Sequence, residues 1–161
     1  MAIRDFNEAD LVQNAGLGGV LLWRFALGFQ GDAYAPTPVP LLFLVLPVCF
    51  HQTSLESAIR TRKNSGLALF ASRLGEVRED LLAVHTRALA FRQLTIDSVS
   101  VAIKAHLFTI DYRQATVRAS ARATPDMSEH VKPLWVAAKK LGHWCGDLSL
   151  SQTALLLKVN F

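Results

Sequence analysis

Apolar side chains recur at helical spacing along most of this chain, and the stretches that depart from that spacing are the informative ones. The longest is Pro40 to His51, which carries no charge and consists almost wholly of large apolar residues. A membrane-spanning helix needs about 20 such residues, so this run predicts a buried core helix instead. It is expected to be the central helix, with the other elements wrapped around it. Pro40 suits a first helical turn, where its missing N–H has no intrahelical partner. Pro47 should kink that helix or end it nearby. Upstream, Asn7 is expected to cap a first helix with apolar positions Leu11, Ala15, Val20, Trp23 and Leu27, running to Gly28. Gly16-Leu-Gly-Gly19 interrupts it at a cost of roughly 1 kcal/mol per glycine against alanine. Close approach of another backbone, that of the opening helix, is the expected reason. Gly31 to Pro40 reads as a connector.

Past His51, Thr53-Ser-Leu-Glu56 has the form of a capping box that starts a short helix reaching Arg60. Arg60 to Gly66 then reads as a basic exposed loop. Val77, Leu81, Val84, Ala88 and Phe91 repeat at four-three spacing, which predicts an amphipathic helix opened by Gly75-Glu-Val-Arg. Thr95 is expected to cap the next helix, with Ile96, Val99 and Ile103 on one face. Leu107 to Asp111 and Ala115 to Ala119 flank Tyr112-Arg-Gln114 and predict a β-hairpin. Two helices followed by a two-stranded ribbon are the sequence form of a winged helix. A later helix is expected from Pro125-Asp-Met-Ser128, with Val131, Leu134, Trp135, Ala138, Leu141 and Cys145 buried and Lys139 and Lys140 on its wet side. Pro133 is tolerable there only near the first turn. Ser149-Leu-Ser-Gln152 is a second capping box, starting a short final helix before an apolar end at Phe161. The fold class is therefore mainly α in one domain. Residues 1–74 form a helical part with the buried central helix, 75–122 the winged-helix-like unit, and 123–161 the C-terminal helices.

Composition sharpens this picture in one respect. Of the 161 residues, 51% are hydrophobic and only 19% are charged, against an average of about 25%. Either the core is unusually complete or a partner covers part of the surface. The net charge of +4 is concentrated between residues 60 and 92, a bias compatible with nucleic acid or an acidic protein face. The acidic start, Met-Ala-Ile-Arg-Asp-Phe-Asn-Glu, is not a signal peptide, and no membrane segment is expected. Cys49 and Cys145 sit among apolar neighbours, as reduced thiols of a cytoplasmic protein would.

Candidate chemistry is sparse. Gly16-Leu-Gly-Gly19 follows no strand and lacks the Gly-Lys-Ser/Thr ending of a phosphate loop. Cys49-Phe-His51 and His143-Trp-Cys145 resemble zinc half-sites, but i and i+2 point about 200° apart on a helix. Buried thiols beside helix-end histidines are the expectation, with no metal or cofactor site. No nucleophile elbow is present, His85 falls mid-helix, and Glu79-Asp80 beside Arg78 read as a solvated face. Enzyme activity is not expected. The second helix of the winged-helix unit would present Asp97, Ser98, Ser100 and Lys104, a poor reader of base edges. Arg60, Arg62 and Lys63 in the basic loop and Arg113 at the wing tip could still touch phosphates. Leu155, Leu157, Val159 and Phe161 make an apolar C-terminal stretch suited to docking on a partner.

Three stretches in order carry a family resemblance: Leu21 to Gln30, Pro40 to His51, and Ala138-Lys-Lys-Leu-Gly-His-Trp144 with the Leu-Ser-Leu-Ser after it. Together they resemble the middle component of ABC-three-component systems, and are similar to the small subunit of Lamassu-type anti-phage systems. The resemblance spans about residues 14–161. Its most specific parts are the Pro-Leu-Leu-Phe-Leu-Val-Leu-Pro run with His51 and the late Leu-Gly-x-Trp. The family offers no catalytic motif to carry over. An additional acidic amino-terminal segment and Pro133 depart from its pattern. The resemblance implies a non-enzymatic adaptor in bacterial defence, partnered by an SMC- or Rad50-like ABC ATPase and an effector subunit, often a nuclease. Direct DNA contact would be nonspecific and made to the backbone. The alternative is a free-standing winged-helix DNA-binding regulator relying on Arg113 and Lys104, and a weaker one is a small hydrolase using His85 or Cys145.

Overall fold

The computed structural model describes residues 14–122 and 126–161. The chain is mainly helical, with one small antiparallel sheet. Helix α1 spans Ala15–Gln30. The Asn14 side chain caps it by accepting from the Leu17 N–H at 2.9 Å. The expected cap, Asn7, lies outside the described residues. Leu21, Leu22, Phe25 and Ala26 of α1 are fully buried and share one face of the helix.

The run expected to form one central helix is buried but broken. It folds as α2 (Val39–Leu42) and α3 (Val45–Cys49), with a turn at Phe43 and Leu44. Pro40 lies in the first turn of α2, as expected. The break falls four residues before Pro47, where the proline has no N–H to offer the Phe43 carbonyl and its ring crowds that oxygen. Two short i−3 bonds, from Phe43 N to Pro40 O and Leu44 N to Leu41 O, close the turn instead. The helix at the centre of the fold is α1. It packs most extensively on α8 (Lys132–Gly146) and on α7 (Arg92–Lys104).

Glycines set both packings. A Cβ on Gly18 would clash with the Ser98 hydroxyl, and one on Gly19 would sit 3.1 Å from the Ser98 carbonyl oxygen. Among the described residues the neighbour that Gly18 and Gly19 admit is α7; the opening segment expected there lies outside the described residues. On the other flank Gly28 faces the Lys139 carbonyl, and Gly142 of α8 faces the Phe25 carbonyl. A methyl group at either place would overlap a backbone oxygen, so the two helices approach reciprocally through bare backbone.

The connecting elements follow from local chemistry. Helix α4 (Gln52–Arg60) is capped by His51, whose Nδ1 accepts from the Ser54 N–H, and not by Thr53. Helix α5 (Gly66–Leu74) was not anticipated, although Leu67, Phe70, Ala71 and Leu74 have helical spacing and are all buried. Helix α6 spans Arg78–Ala90, as the four-three pattern predicts, but only Val84 is fully buried in it. Helix α7 starts at Arg92, so Thr95 is interior to it and not its cap. Its buried face is Thr95, Ser98 and Ala102, while Ile96 is exposed. Ser98 therefore drops out of the outer face assigned to it.

The hairpin forms where expected, from β2 (Phe108–Asp111) and β3 (Thr116–Ala119), with Phe108 opposite Ala119 and Asp111 opposite Thr116. The Asp111 carboxylate accepts from the N–H groups of Arg113 and Gln114 and shapes the turn. A third strand, β1 (Thr37–Pro38), pairs with the other side of β3, giving the order β1-β3-β2. Helix α1 fixes β3 from beneath: Trp23 Nε1 donates to the Ser120 carbonyl at 2.9 Å, and the Gln30 side-chain oxygen accepts from the Ala119 N–H.

Pro133 falls in the first turn of α8, the one place where it costs little. Leu134, Trp135, Ala138, Leu141 and Cys145 of the expected stripe are buried. Helix α9 (Leu150–Leu157) begins with a complete Ser149–Gln152 capping box, as expected.

Candidate partner-docking face and basic surface

The residues proposed for docking at the C-terminal end divide between inside and outside. Leu157 and Val159 are buried in the core of the chain itself, whereas Leu155 is 70% and Phe161 50% exposed. Lys158 explains the division. Its backbone is left-handed, with φ of 57°, and this lets the Val159 N–H reach back to the Ala154 carbonyl. That bond closes the helix C-terminus in the Schellman manner and turns Val159 inward. Next, the Asn160 N–H donates to His85 Nδ1 at 3.4 Å, so the segment lies against α6.

Between this segment and α6 lies a groove of about 380 Å³, with Phe43, Leu44, His85, Leu89, Arg92 and Phe161 in its walls. Outside the groove, Leu82, Ile96 and Val101 of α6 and α7 are also exposed. Phe50 and Phe91, edge to face with centroids 6.0 Å apart, pin the junction of these two helices to the core. A pair of helices anchored at one end, with leucines on the solvent side, is equipped to hold an apolar surface of another chain. The groove brings one histidine and one arginine to an apolar lining, an arrangement suited to gripping a chain.

Basic residues form the second feature. Arg60, Arg62 and Lys63 are exposed, as expected. Lys63 sits on a turn whose carbonyl accepts from Trp144 Nε1 at 2.9 Å. Lys140 does not belong to the wet side of α8. Its Nζ donates to the carbonyls of Ala58, Ile59 and Thr61 at 3.3, 2.8 and 3.0 Å, binding the end of α4 to α8. Burial lowers its pKa below the ordinary lysine value. Lys139 is exposed. Its pKa is lowered by desolvation first, then by the charges of Arg24 and Lys63. The sequence linked neither Arg24 nor Lys139 to Lys63. Arg113 is exposed on the hairpin, which packs on α1 and β1, whereas the Lys63 turn packs on α5 and α8.

Cys49 and Cys145 are fully buried, and desolvation pushes each thiol up to about 12. Among the described residues no three His, Cys, Asp or Glu side chains cluster as metal ligands would. Among the same residues no single helix is long and apolar enough to cross a membrane.

A family model for Middle Component 3 of ABC-three component (ABC-3C) systems matches residues 4–161. The chain belongs to that family, and so is the middle component of a system with other components. No curated protein and no solved structure matches it.

Proposed function

We propose that this middle component is a non-enzymatic adaptor. It bridges an SMC- or Rad50-like ABC ATPase and an effector subunit, often a nuclease, and restrains the effector until the ATPase engages foreign DNA. The observation that carries the reading is the exposed apolar surface of α6 and α7, with Leu82, Leu89 and Ile96 facing solvent in a member of a family of system components. Apolar residues spaced along one helix face favour a standing protein contact over incidental exposure. In this reading the α6–α7–hairpin unit is a winged-helix-like module used for protein contact. The same reading gives the chain a role in anti-phage defence and a cytoplasmic setting, which is what a resemblance to the Lamassu small subunit implies.

Co-expression with the ATPase component, followed by capture through a tag on the ATPase, tests the proposal. The wild-type chain is expected to be captured. The Leu82→Glu/Leu89→Glu variant should lose at least about tenfold in affinity while melting within a few degrees of wild type. If the wild-type chain is captured by neither neighbouring component, the adaptor reading falls.

A further inference from the structure

We propose that Arg24, Lys63 and Lys139 form one phosphate-binding surface that takes the backbone of double-stranded nucleic acid without reading its sequence. The three cations come from separate segments: Arg24 from α1, Lys63 from the turn after α4, and Lys139 from α8. Each residue is held by a neighbour, Arg24 through its side chain and the two lysines through their carbonyls. The Arg24 guanidinium lies over the Trp135 ring, 4.2 Å from its centroid, and its buried Nε has no hydrogen-bond partner. The Lys63 carbonyl is tied to Trp144, whose ring stacks on Phe70. The Lys139 carbonyl is the oxygen against which Gly28 packs.

Lys140, next in the chain, turns inward and clamps the preceding loop to α8, leaving Lys139 facing solvent. The result is a preorganised group of like charges. Geometry brings the three together: Lys140 Nζ ties the Thr61 carbonyl and Trp144 Nε1 the Lys63 carbonyl to α8, while Arg24 lies over Trp135, one turn before Lys139. After desolvation, the charges of Arg24 and Lys63 lower the Lys139 pKa. Like charges held together repel one another, and an array of phosphates relieves that repulsion while releasing its own counterions. Single strands are favoured by exposed rings on which bases stack. The ring beside this cluster, Trp135, is only 5% exposed and already lies under Arg24. A duplex needs only its phosphates contacted, which fits three cations with no reader of base edges.

The surface is separate from the apolar face of α6 and α7, so the proposal stands or falls apart from the adaptor reading. Its test is the anisotropy of a labelled random duplex of about 20 base pairs, titrated with the full chain between about 50 and 200 mM salt. Wild type should bind with a steep salt dependence. Lys63→Gln/Lys139→Gln should weaken binding at least tenfold at the lower salt and flatten the log–log slope by about 2. Lys63→Glu should give the larger loss from a single site, and Arg113→Gln should leave the slope unchanged. Circular dichroism melts check that each variant is folded, and ATPase capture by the double variant should match wild type. Absence of duplex binding at about 50 mM salt would overturn the proposal, as would a double variant that binds like wild type. Displacement of the duplex by polyglutamate at equal charge, or equal binding to anionic vesicles, would overturn it in favour of an acidic protein or a lipid surface.

Discussion

Two helix pairs in this molecule are built on opposite terms. Helices α1 and α8 meet backbone to backbone through Gly28 and Gly142, and most of their apolar side chains are buried. Helices α6 and α7 have a single large apolar residue fully buried between them, Val84, and expose Leu82, Leu89 and Ile96. The first pair is a weld that carries the fold, and the second leaves an apolar face open to solvent, the platform that the adaptor proposal assigns to a partner. High apolar content thus has two destinations here, and the total alone cannot tell them apart.

The largest expected effect breaks the weld. Gly142→Ala places a methyl group inside the Phe25 carbonyl, which backbone cannot yield cheaply, and should cost about 3 kcal/mol or prevent folding. Urea denaturation measures it, and a loss under about 1 kcal/mol would show that the helices can part. Next comes alkaline pH. Both thiols have folded pKa values raised by burial to about 12, so the unfolded chain releases those protons first. Stability from this source is complete below about pH 8.5 and falls above it by about 1.4 kcal/mol per thiol per pH unit, until pH passes the folded values. Urea midpoints at rising pH should follow that decline. The same thiols should stay unlabelled by a thiol reagent at neutral pH until the chain unfolds.

On the platform the contrast reverses. Leu82→Glu/Leu89→Glu should shift stability by no more than about 0.5 kcal/mol per site, while abolishing most partner capture. A large loss of stability would mean that the leucines serve the fold after all. The smallest effect lies at Lys158. Its left-handed backbone is strained by about 1 kcal/mol for any residue with a Cβ, so Lys158→Gly should raise the melting temperature slightly and leave partner affinity unchanged.

What was legible in the sequence follows the same division. Elements with a cap or a strict period were readable: the hairpin, the Ser149–Gln152 box, the stripe of α8 and the extent of α6. Rank within the fold was not. Pro40–His51 has the most apolar composition, but the backbone oxygen four residues before Pro47 breaks it, and α1 takes the centre through glycines that composition scores as weakness. Helix α5 has a helical period in Leu67, Phe70, Ala71 and Leu74, but no side-chain cap marks its start after the basic turn. Lys140 looked like surface because a lysine between buried stripes gives no sign that three carbonyls lie within its reach. The same blindness hid the meeting of Arg24, Lys63 and Lys139, which depends wholly on tertiary packing. Of the four residues named for docking, Leu157 and Val159 are buried in the chain's own core for a local reason, the reversal at Lys158.

The small sheet has a further consequence. One of its margins is the two-residue strand β1, which ends on Pro38, a residue with no N–H to offer another strand. The other margin is β2, only four residues long and closed by Asp111, whose carboxylate is engaged in the turn. Neither side provides a long template of open hydrogen-bonding groups, the usual seed of uncontrolled strand pairing between copies. A chain that shows leucines to solvent is therefore shielded, at its sheet, from the commonest route to fibrous aggregation.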